Sequence, residues 1–509
     1  MKKLLFVSCL AISMTVFAAP FKNPVVPGFY SDPSVCVGPD GKFCLATSTL
    51  QFFPIIPLFE SEDLVHWTLK GHAVEKSGVT PLGGELEFAG YFAPTLRYHN
   101  GKFYLVASNH AKDLNGKVLG PMIMTAPRLE GPWTEPRKLP VGSFGDPSLD
   151  FIGDKCYFTG TTGRMIRLAE YDPERNVLLE EPRDVWSGTG GTYPEGPHVF
   201  KRGDWYYLMM AEGGTEYGHA QTIARSRSVY GPYEGCPHNP IAGHARLKAQ
   251  GSRLQAVGHG DFVYDKDGNG FFICHAIRPQ YGKNHIVGRE VIAAPMEWTV
   301  DGWPLVNGGR PIPDQPFNLE NLPAVDWTWI RNPKMENYDF DGKKGAVVLR
   351  PSEVKLSDKE SPTFVGTRQT AIDQNFSVAL ESKAVEGVEA GIVSYMGRTH
   401  HMALVVARRG GRDVAFVRYQ LGLMRFESAP VTVEAFPVRL RIEARAKIIR
   451  FLADGKLVGE GDPRHIGSEV NSDSPYNGII FGMFAEGPAT AERVKFTYDL
   501  KTMLKEGSL

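Results

Sequence analysis

The stretch Thr192-Tyr193-Pro194-Glu195-Gly196-Pro197-His198-Val199-Phe200, followed by Gly203-Asp204-Trp205-Tyr206-Tyr207-Leu208-Met209-Met210, decides the fold. It is a carboxylate on a Pro/Gly-flanked segment, then a strand, a polar turn and an aromatic-rich second strand. Four other stretches repeat it. Asp32-Pro33-Ser34-Val35 leads through Gly41 to Phe43-Cys44-Leu45-Ala46, and Ala93-Pro94-Thr95-Leu96 leads through Gly101 to Phe103-Tyr104-Leu105-Val106. Asp146-Pro147-Ser148-Leu149 leads through Gly153 to Cys156-Tyr157-Phe158-Thr159, and His259-Gly260-Asp261-Phe262-Val263 leads through Gly268 to Phe271-Phe272-Ile273-Cys274. The turn glycines at 41, 101, 153, 203 and 268 are therefore 60, 52, 50 and 65 residues apart.

Hairpin repeats at this spacing mark a radial array. One small antiparallel sheet cannot bury both faces, but five packed around an axis form a propeller with short, protected edges. The first strand of each repeat would line the axis, with its first residue at one mouth. Three repeats place an acid there, Asp32, Asp146 and Glu195, and a fourth places His259. The predicted fold is all-β: a five-bladed β-propeller over residues 20–312, a Pro/Gly-rich linker over 313–325, and a two-sheet β-sandwich over 326–509. The sandwich is read from period-two runs such as Phe376–Leu380, Met402–Ala407 and Val438–Glu443. Trp67, Trp133, Trp186 and Trp298 recur late in the repeats and read as blade-packing aromatics.

Wider features narrow the function. A chain of 509 residues needs more than one core. With 56 basic and 57 acidic residues, nothing points to nucleic acid or an anionic membrane. Residues 1–19, basic and then apolar with Ala18-Ala19 at the exit, read as a signal peptide, which implies a periplasmic or secreted protein. No apolar run suits a membrane span. Five cysteines remain after cleavage, too few and too scattered for a disulfide framework. Cys36 and Cys44 flank one turn and face each other either as a disulfide or as two free thiols.

Acids gathered in one pocket cannot all ionise freely, so their pKa values separate. That supplies a proton donor and a base, the pair that glycoside hydrolysis needs. Glu195, between two prolines and near Tyr193, suits the donor with a raised pKa. Asp32 suits the base, and Asp146 the acid that tunes the donor. The same acids with His259 could instead hold a calcium ion on the axis. His66, His99, His198, His400 and His401 read as packing residues.

At this point the residues resemble glycoside hydrolase family 43. Asn23-Pro-Val-Val-Pro-Gly-Phe-Tyr-Ser-Asp32-Pro-Ser is similar to the family's general-base segment. Gly145-Asp146-Pro-Ser-Leu is similar to its pKa-modulating segment, and Thr192-Tyr-Pro-Glu195-Gly-Pro-His to its general-acid segment. Glu212–Ala220, Gly231–Ile241 and Gly288–Trp298 resemble members that release β-D-xylose or α-L-arabinofuranose. The resemblance implies an exo-acting, inverting enzyme on pentose-containing oligosaccharides or polysaccharides, with no required cofactor and a concanavalin A-like second domain. It implies that Arg289 contacts the terminal sugar and that His259 supports the pocket. Phe53 and Phe92 are candidate sugar contacts, and Tyr476 would be the aromatic that the sandwich lends to the mouth. Two departures bear on the terminal sugar: Leu50 stands where that pattern has an aromatic, and Phe92 where it has Trp. A retaining invertase-type enzyme would need an Asn-Asp-Pro-Asn-Gly-like start, which Tyr30-Ser31-Asp32-Pro33-Ser34 is not. A non-catalytic carbohydrate-binding propeller would not need all three acids. The oligomeric state is open.

Overall fold

The computed structural model describes residues 21–506 apart from 84–88, 114, 216, 248–251, 281, 315–324, 342–343 and 472–474. The proposed signal peptide, most of the proposed linker, and the C-terminal residues 507–509 lie outside the described residues.

Five antiparallel sheets follow one another along the chain, each with its strands side by side in sequence order apart from short outer additions. Their innermost strands are Ser34–Val37, Tyr91–His99, Gly145–Ile152, Glu195–Arg202 and Gln255–Tyr264. Each of these packs on the next, and the fifth packs on the first, closing the ring. The five turn glycines all have positive φ, between 58 and 83°, the left-handed conformation that a tight hairpin needs and that glycine adopts freely. The N-terminal segment bridges the ends of the ring. Val26 pairs with Val291 of the fifth blade, and the Asn23 side chain hydrogen-bonds both the N–H and the C=O of Ala293.

Alternation along the second strands supplies the seams between blades. Tyr207 and Met209 face the fifth blade's Phe272, Cys274 and Ile292, while Leu208 and Met210 face the third blade's Tyr157, Ile166 and Leu168. Phe43 and Leu45 likewise face the fifth blade, and Cys44 and Ala46 the second. A strand buried on both faces reads as a continuous apolar run with period-two division of labour. This is why the second strands were the clearest signal in the sequence. Cys36 and Cys44 are directly opposite in the first hairpin. Both are free thiols, as are Cys156, Cys236 and Cys274.

The C-terminal half forms a sandwich of a nine-stranded and an eight-stranded antiparallel sheet. The division between the halves is not clean. Phe52–Phe53, inside the first propeller repeat, is a two-residue strand that extends the nine-stranded sheet by pairing with Trp329 and Ile330. A buried polar cluster adds to the junction. Tyr30 donates to Asp326 at 2.9 Å, His72 Nε2 stands 3.1 Å from the same carboxylate, and Arg368 bonds it closely. Among the described residues no helix is long and apolar enough to cross a membrane.

Candidate active site

The acids are aimed by a recurring irregularity of the innermost strands. In blades two to five the pairing register shifts between Phe92 and Thr95, Gly145 and Ser148, Glu195 and His198, and Gly258 and Asp261. Inside each bulge one residue has a left-handed backbone: Ala93 at φ 44°, Asp146 at 45°, Gly196 at 55° and His259 at 50°. Asp32 adopts φ 53° just ahead of the first blade's inner strand. Bulges re-aim side chains, and strained non-glycine residues cluster at functional sites. The alignment corrects one sequence reading. Glu195 does not occupy the position of Asp32 and Asp146; Gly196 does, and Glu195 precedes it by one residue. The reason is steric. A Cβ on Gly196 would stand 2.8 Å from the His259 imidazole, so this blade sends its acid from the neighbouring residue.

Asp32 is buried and fully engaged. Its carboxylate accepts from Ser48 at 2.6 Å, Ser31 at 2.9 Å and Arg289 at 2.8 Å, while its N–H donates to His275 Nδ1 at 3.1 Å. The Ala93 N–H donates to Ser48 in turn, so the second blade helps to orient the Asp32 carboxylate through its backbone. Burial alone would lift the Asp32 carboxyl. Arg289, His275 and His259 outweigh it and hold Asp32 well below the usual carboxylate range.

His259 Nδ1 stands 3.8 Å from both Asp32 Oδ1 and Glu195 Oε1. The two carboxylates therefore share one imidazole, as ion pairs too long to be hydrogen bonds. Burial opposes the charge on His259, but Glu195, Asp32 and Asp146 surround it and push its pKa up to about 9. Asp146 accepts the Gly196 N–H at 3.1 Å. Burial raises its pKa to about 6, with His259 opposing and the charges of Glu195 and Asp32 adding. Burial would raise Glu195 too, yet His259 and His219 hold it below its ordinary value. The expectation that Glu195 itself carries a raised pKa is thus not met in the free site. The exchangeable proton belongs to the Glu195–His259–Asp146 group as a unit.

Tyr476 and Phe92 join the acids. Tyr476 comes from the sandwich, and the Arg289 guanidinium lies 5.4 Å from its ring centre. The Phe92 ring meets the Tyr476 ring edge-on at 6.2 Å and packs on His110 at 4.7 Å. The loops carrying Arg289 and Tyr476 meet through two glycines: a Cβ on Gly288 would stand 3.0 Å from Gly478 backbone, and one on Gly478 would stand 2.5 Å from Val287 O. Phe53 is not brought to the site. It is buried in the inter-domain strand with its ring 6.2 Å from Trp329, because pairing with the sandwich turns it away from the axis. Leu50 is fully buried, with its backbone hydrogen-bonded to Tyr91 in both directions.

The sequence reading had assigned no role to Ser31, Ser48, His219 and His275. His275, inside the otherwise apolar strand Gly270–Ile277, was the available signal; Ser31, Ser48 and His219 lie just outside the strands and gave none. His198, read as a packing residue, hydrogen-bonds Arg97 at 3.0 Å. It belongs to a polar layer one step deeper along the axis. There Arg97 pairs with Asp150 at 2.9 Å and Asp261 at 2.6 Å, and Ser34 with Asp261 at 3.0 Å. This layer bears on the calcium expectation. Three of the axial carboxylates are matched by guanidinium groups, Asp150 and Asp261 by Arg97 and Asp32 by Arg289, whereas Asp146 and Glu195 are set around His259. Calcium takes six to eight oxygen ligands, and at Asp32 and Asp261 it would compete with the guanidinium groups already there. Among the described residues no three His, Cys, Asp or Glu side chains are grouped to hold a metal ion.

A propeller whose axis ends in an ionised carboxylate, two further acids around one imidazole and an aromatic and arginine at the mouth has the groups that a glycosidase needs. Comparison with known proteins makes the class specific. Residues 21–304 match Glycosyl hydrolases family 43, and residues 315–500 match the Beta xylosidase C-terminal Concanavalin A-like domain. The chain belongs to glycoside hydrolase family 43. It is 36% identical over 94% of its length, and 94% of the relative's, to a non-reducing end alpha-L-arabinofuranosidase of Bacteroides ovatus. It is 32% identical to a xylosidase/arabinosidase of Butyrivibrio fibrisolvens, over 76% of this chain and 80% of that one. Among solved structures, the Bacteroides ovatus Xyloglucan PUL GH43B superposes with a TM-score of 0.85 at 34% identity, covering 94% of this chain and 99% of that one.

Proposed function

We propose that this glycosidase removes terminal α-L-arabinofuranose from pentose-containing plant cell-wall saccharides, working outside the cytoplasm, with inversion at the anomeric carbon and no metal. The observation that carries the catalytic part is the meeting of Asp32, Glu195 and Asp146 around His259. Asp32 takes a proton from a water. The water oxygen bonds to the anomeric carbon from the face opposite the leaving oxygen, and the glycosidic C–O bond breaks. Glu195 delivers a proton to that oxygen, drawn from the group it shares with His259 and Asp146. The two carboxylate oxygens are no further apart than twice their 3.8 Å distance to His259, a bound that reaches only the lower end of the ~6.5–9.5 Å spacing of an inverting pair. Tyr476 supports exo action, because an aromatic wall across the mouth leaves space for one terminal sugar. Arg97 and Arg289 supply the positive charge that a metal would otherwise bring. Residues 1–19 support export.

The arabinofuranose reading draws on the name of the 36% identical relative and on the smaller groups at Leu50 and Phe92. β-D-Xylose is the second reading, favoured by the description of the C-terminal domain. Nitrophenol release from α-L-arabinofuranoside against β-D-xylopyranoside decides between them. A higher kcat/KM on the xyloside would reverse the order. Proton NMR of the first product should show the anomer opposite to the substrate, and early appearance of the same anomer would overturn inversion.

A further inference from the structure

We propose that Tyr193 is the platform on which the leaving-group saccharide stacks, and that it sets the enzyme's preference for a sugar over a small leaving group. The inference rests on the glycosidase reading above. Tyr193 is 65% exposed and stands two residues before Glu195. A single exposed aromatic is ordinary; the mounting of this one is not.

Its backbone is left-handed at φ 53°, a conformation that a bulky residue adopts only when its surroundings impose it. Here they do. The buried Glu212 carboxylate accepts the N–H groups of Thr189 at 2.9 Å and Gly191 at 3.3 Å, and the Thr189 hydroxyl bonds it closely as well. The Thr192 carbonyl accepts the Gly213 N–H at 2.7 Å. The Pro194 carbonyl accepts the Thr161 hydroxyl at 2.5 Å. The segment is thus tied on both sides of Tyr193, and the ring is held up into solvent between the ties. Beneath it the chain is kept low. A Cβ on Gly214 would lie 3.6 Å from Tyr193 Cδ2, and Gly213 and Gly214 both take positive φ.

Position gives the ring its partner. The Gly214 that packs beneath the Tyr193 ring holds His219 Nδ1 at 2.7 Å, and the same nitrogen stands 3.8 Å from Glu195, while Tyr476 lies over the Arg289 that pairs with Asp32, so the two tyrosines flank the acids from opposite sides. Tyr476 covers the Arg289–Asp32 side, where the terminal sugar and the attacking water belong. Tyr193 is on the chain segment that carries the proton donor, which must reach the departing oxygen. The saccharide attached to that oxygen therefore leaves past Tyr193. A rigid, exposed ring offers apolar area to a sugar's C–H face at little cost in side-chain entropy.

The test compares an oligosaccharide with the methyl glycoside of the same terminal sugar, since both leaving groups need protonation and only one can stack. Turnover of the methyl glycoside by the wild-type enzyme tests the glycosidase reading separately. In Tyr193→Ala, kcat/KM on the oligosaccharide should fall about tenfold, at least five times more than on the methyl glycoside, while Tyr193→Phe and Tyr193→Trp should retain the preference for the oligosaccharide. Equal losses on the two substrates would assign Tyr193 to the placement of Glu195, and no loss on either would make it a bystander. Either result overturns the proposal.

Discussion

His259 is the residue through which the three acids communicate. Among the described residues it is the one cation within 3.8 Å of both Asp32 and Glu195, and its raised pKa links the site to stability. A group whose folded pKa exceeds its unfolded value stabilises fully below the unfolded value and loses that effect as pH rises through the folded one. For His259 the window runs from its ordinary value of 6.5 to about 9. The melting temperature of the wild-type protein should therefore decline across that window more steeply than that of His259→Gln, by an amount equivalent to at most about 3 kcal/mol. Parallel curves would remove the charge from His259. For the acids themselves, Asp32→Asn and Glu195→Gln should each lower turnover on unactivated glycosides by at least ~10²-fold with folding intact. Glu195→Gln should cost less on substrates with good leaving groups, which need little protonation. A near-normal rate on an unactivated glycoside would refute the role given to that residue.

The bulge in the innermost strands of blades two to five is the device that turns a repeated hairpin into a site. A regular strand would send alternate side chains into the two neighbouring seams, and none along the axis toward the mouth. A left-handed residue inside the bulge, or just ahead of the strand at Asp32, breaks that alternation. Gly196 tests the idea most directly, since it combines φ 55° with contact to His259. Gly196→Ala would force an alanine into the left-handed region and its methyl into the imidazole. Activity should fall by roughly 10²-fold, the scale of a displacement of about 1 Å at a catalytic group, while circular dichroism stays native. Wild-type rates in Gly196→Ala would show that His259 has room to move and that the close approach is not needed.

At the scale of the whole molecule, the sandwich and the propeller share structure in both directions. It borrows Phe52–Phe53 for its sheet, and it returns Tyr476 to the mouth. Tyr476→Ala should raise KM and lower kcat/KM by roughly tenfold, about 1.4 kcal/mol of transition-state binding. Melting temperature should change little, because the docking is carried by the Asp326 cluster, the shared strand and the Gly288–Gly478 contact. Unchanged kinetics would confine the sandwich to a structural role.

The sequence by itself determined the blade count, the all-β character and three of the residues on the axis, Asp32, Asp146 and His259. Each of these is written in short-range pattern: a turn glycine, an alternation, a residue before proline. Glu195 was legible as an acid but not in its offset, because the glycine beside it is required by an imidazole from another blade. The location of the proton was not legible either. A pKa depends on which charges lie within a few ångströms, and those around His259 come from three other blades, far apart in the chain. Phe53 and Tyr476 make the same point from opposite sides. Both are aromatics in plausible segments, and only the docking of the two domains decided that one is buried in a shared sheet while the other stands over Arg289.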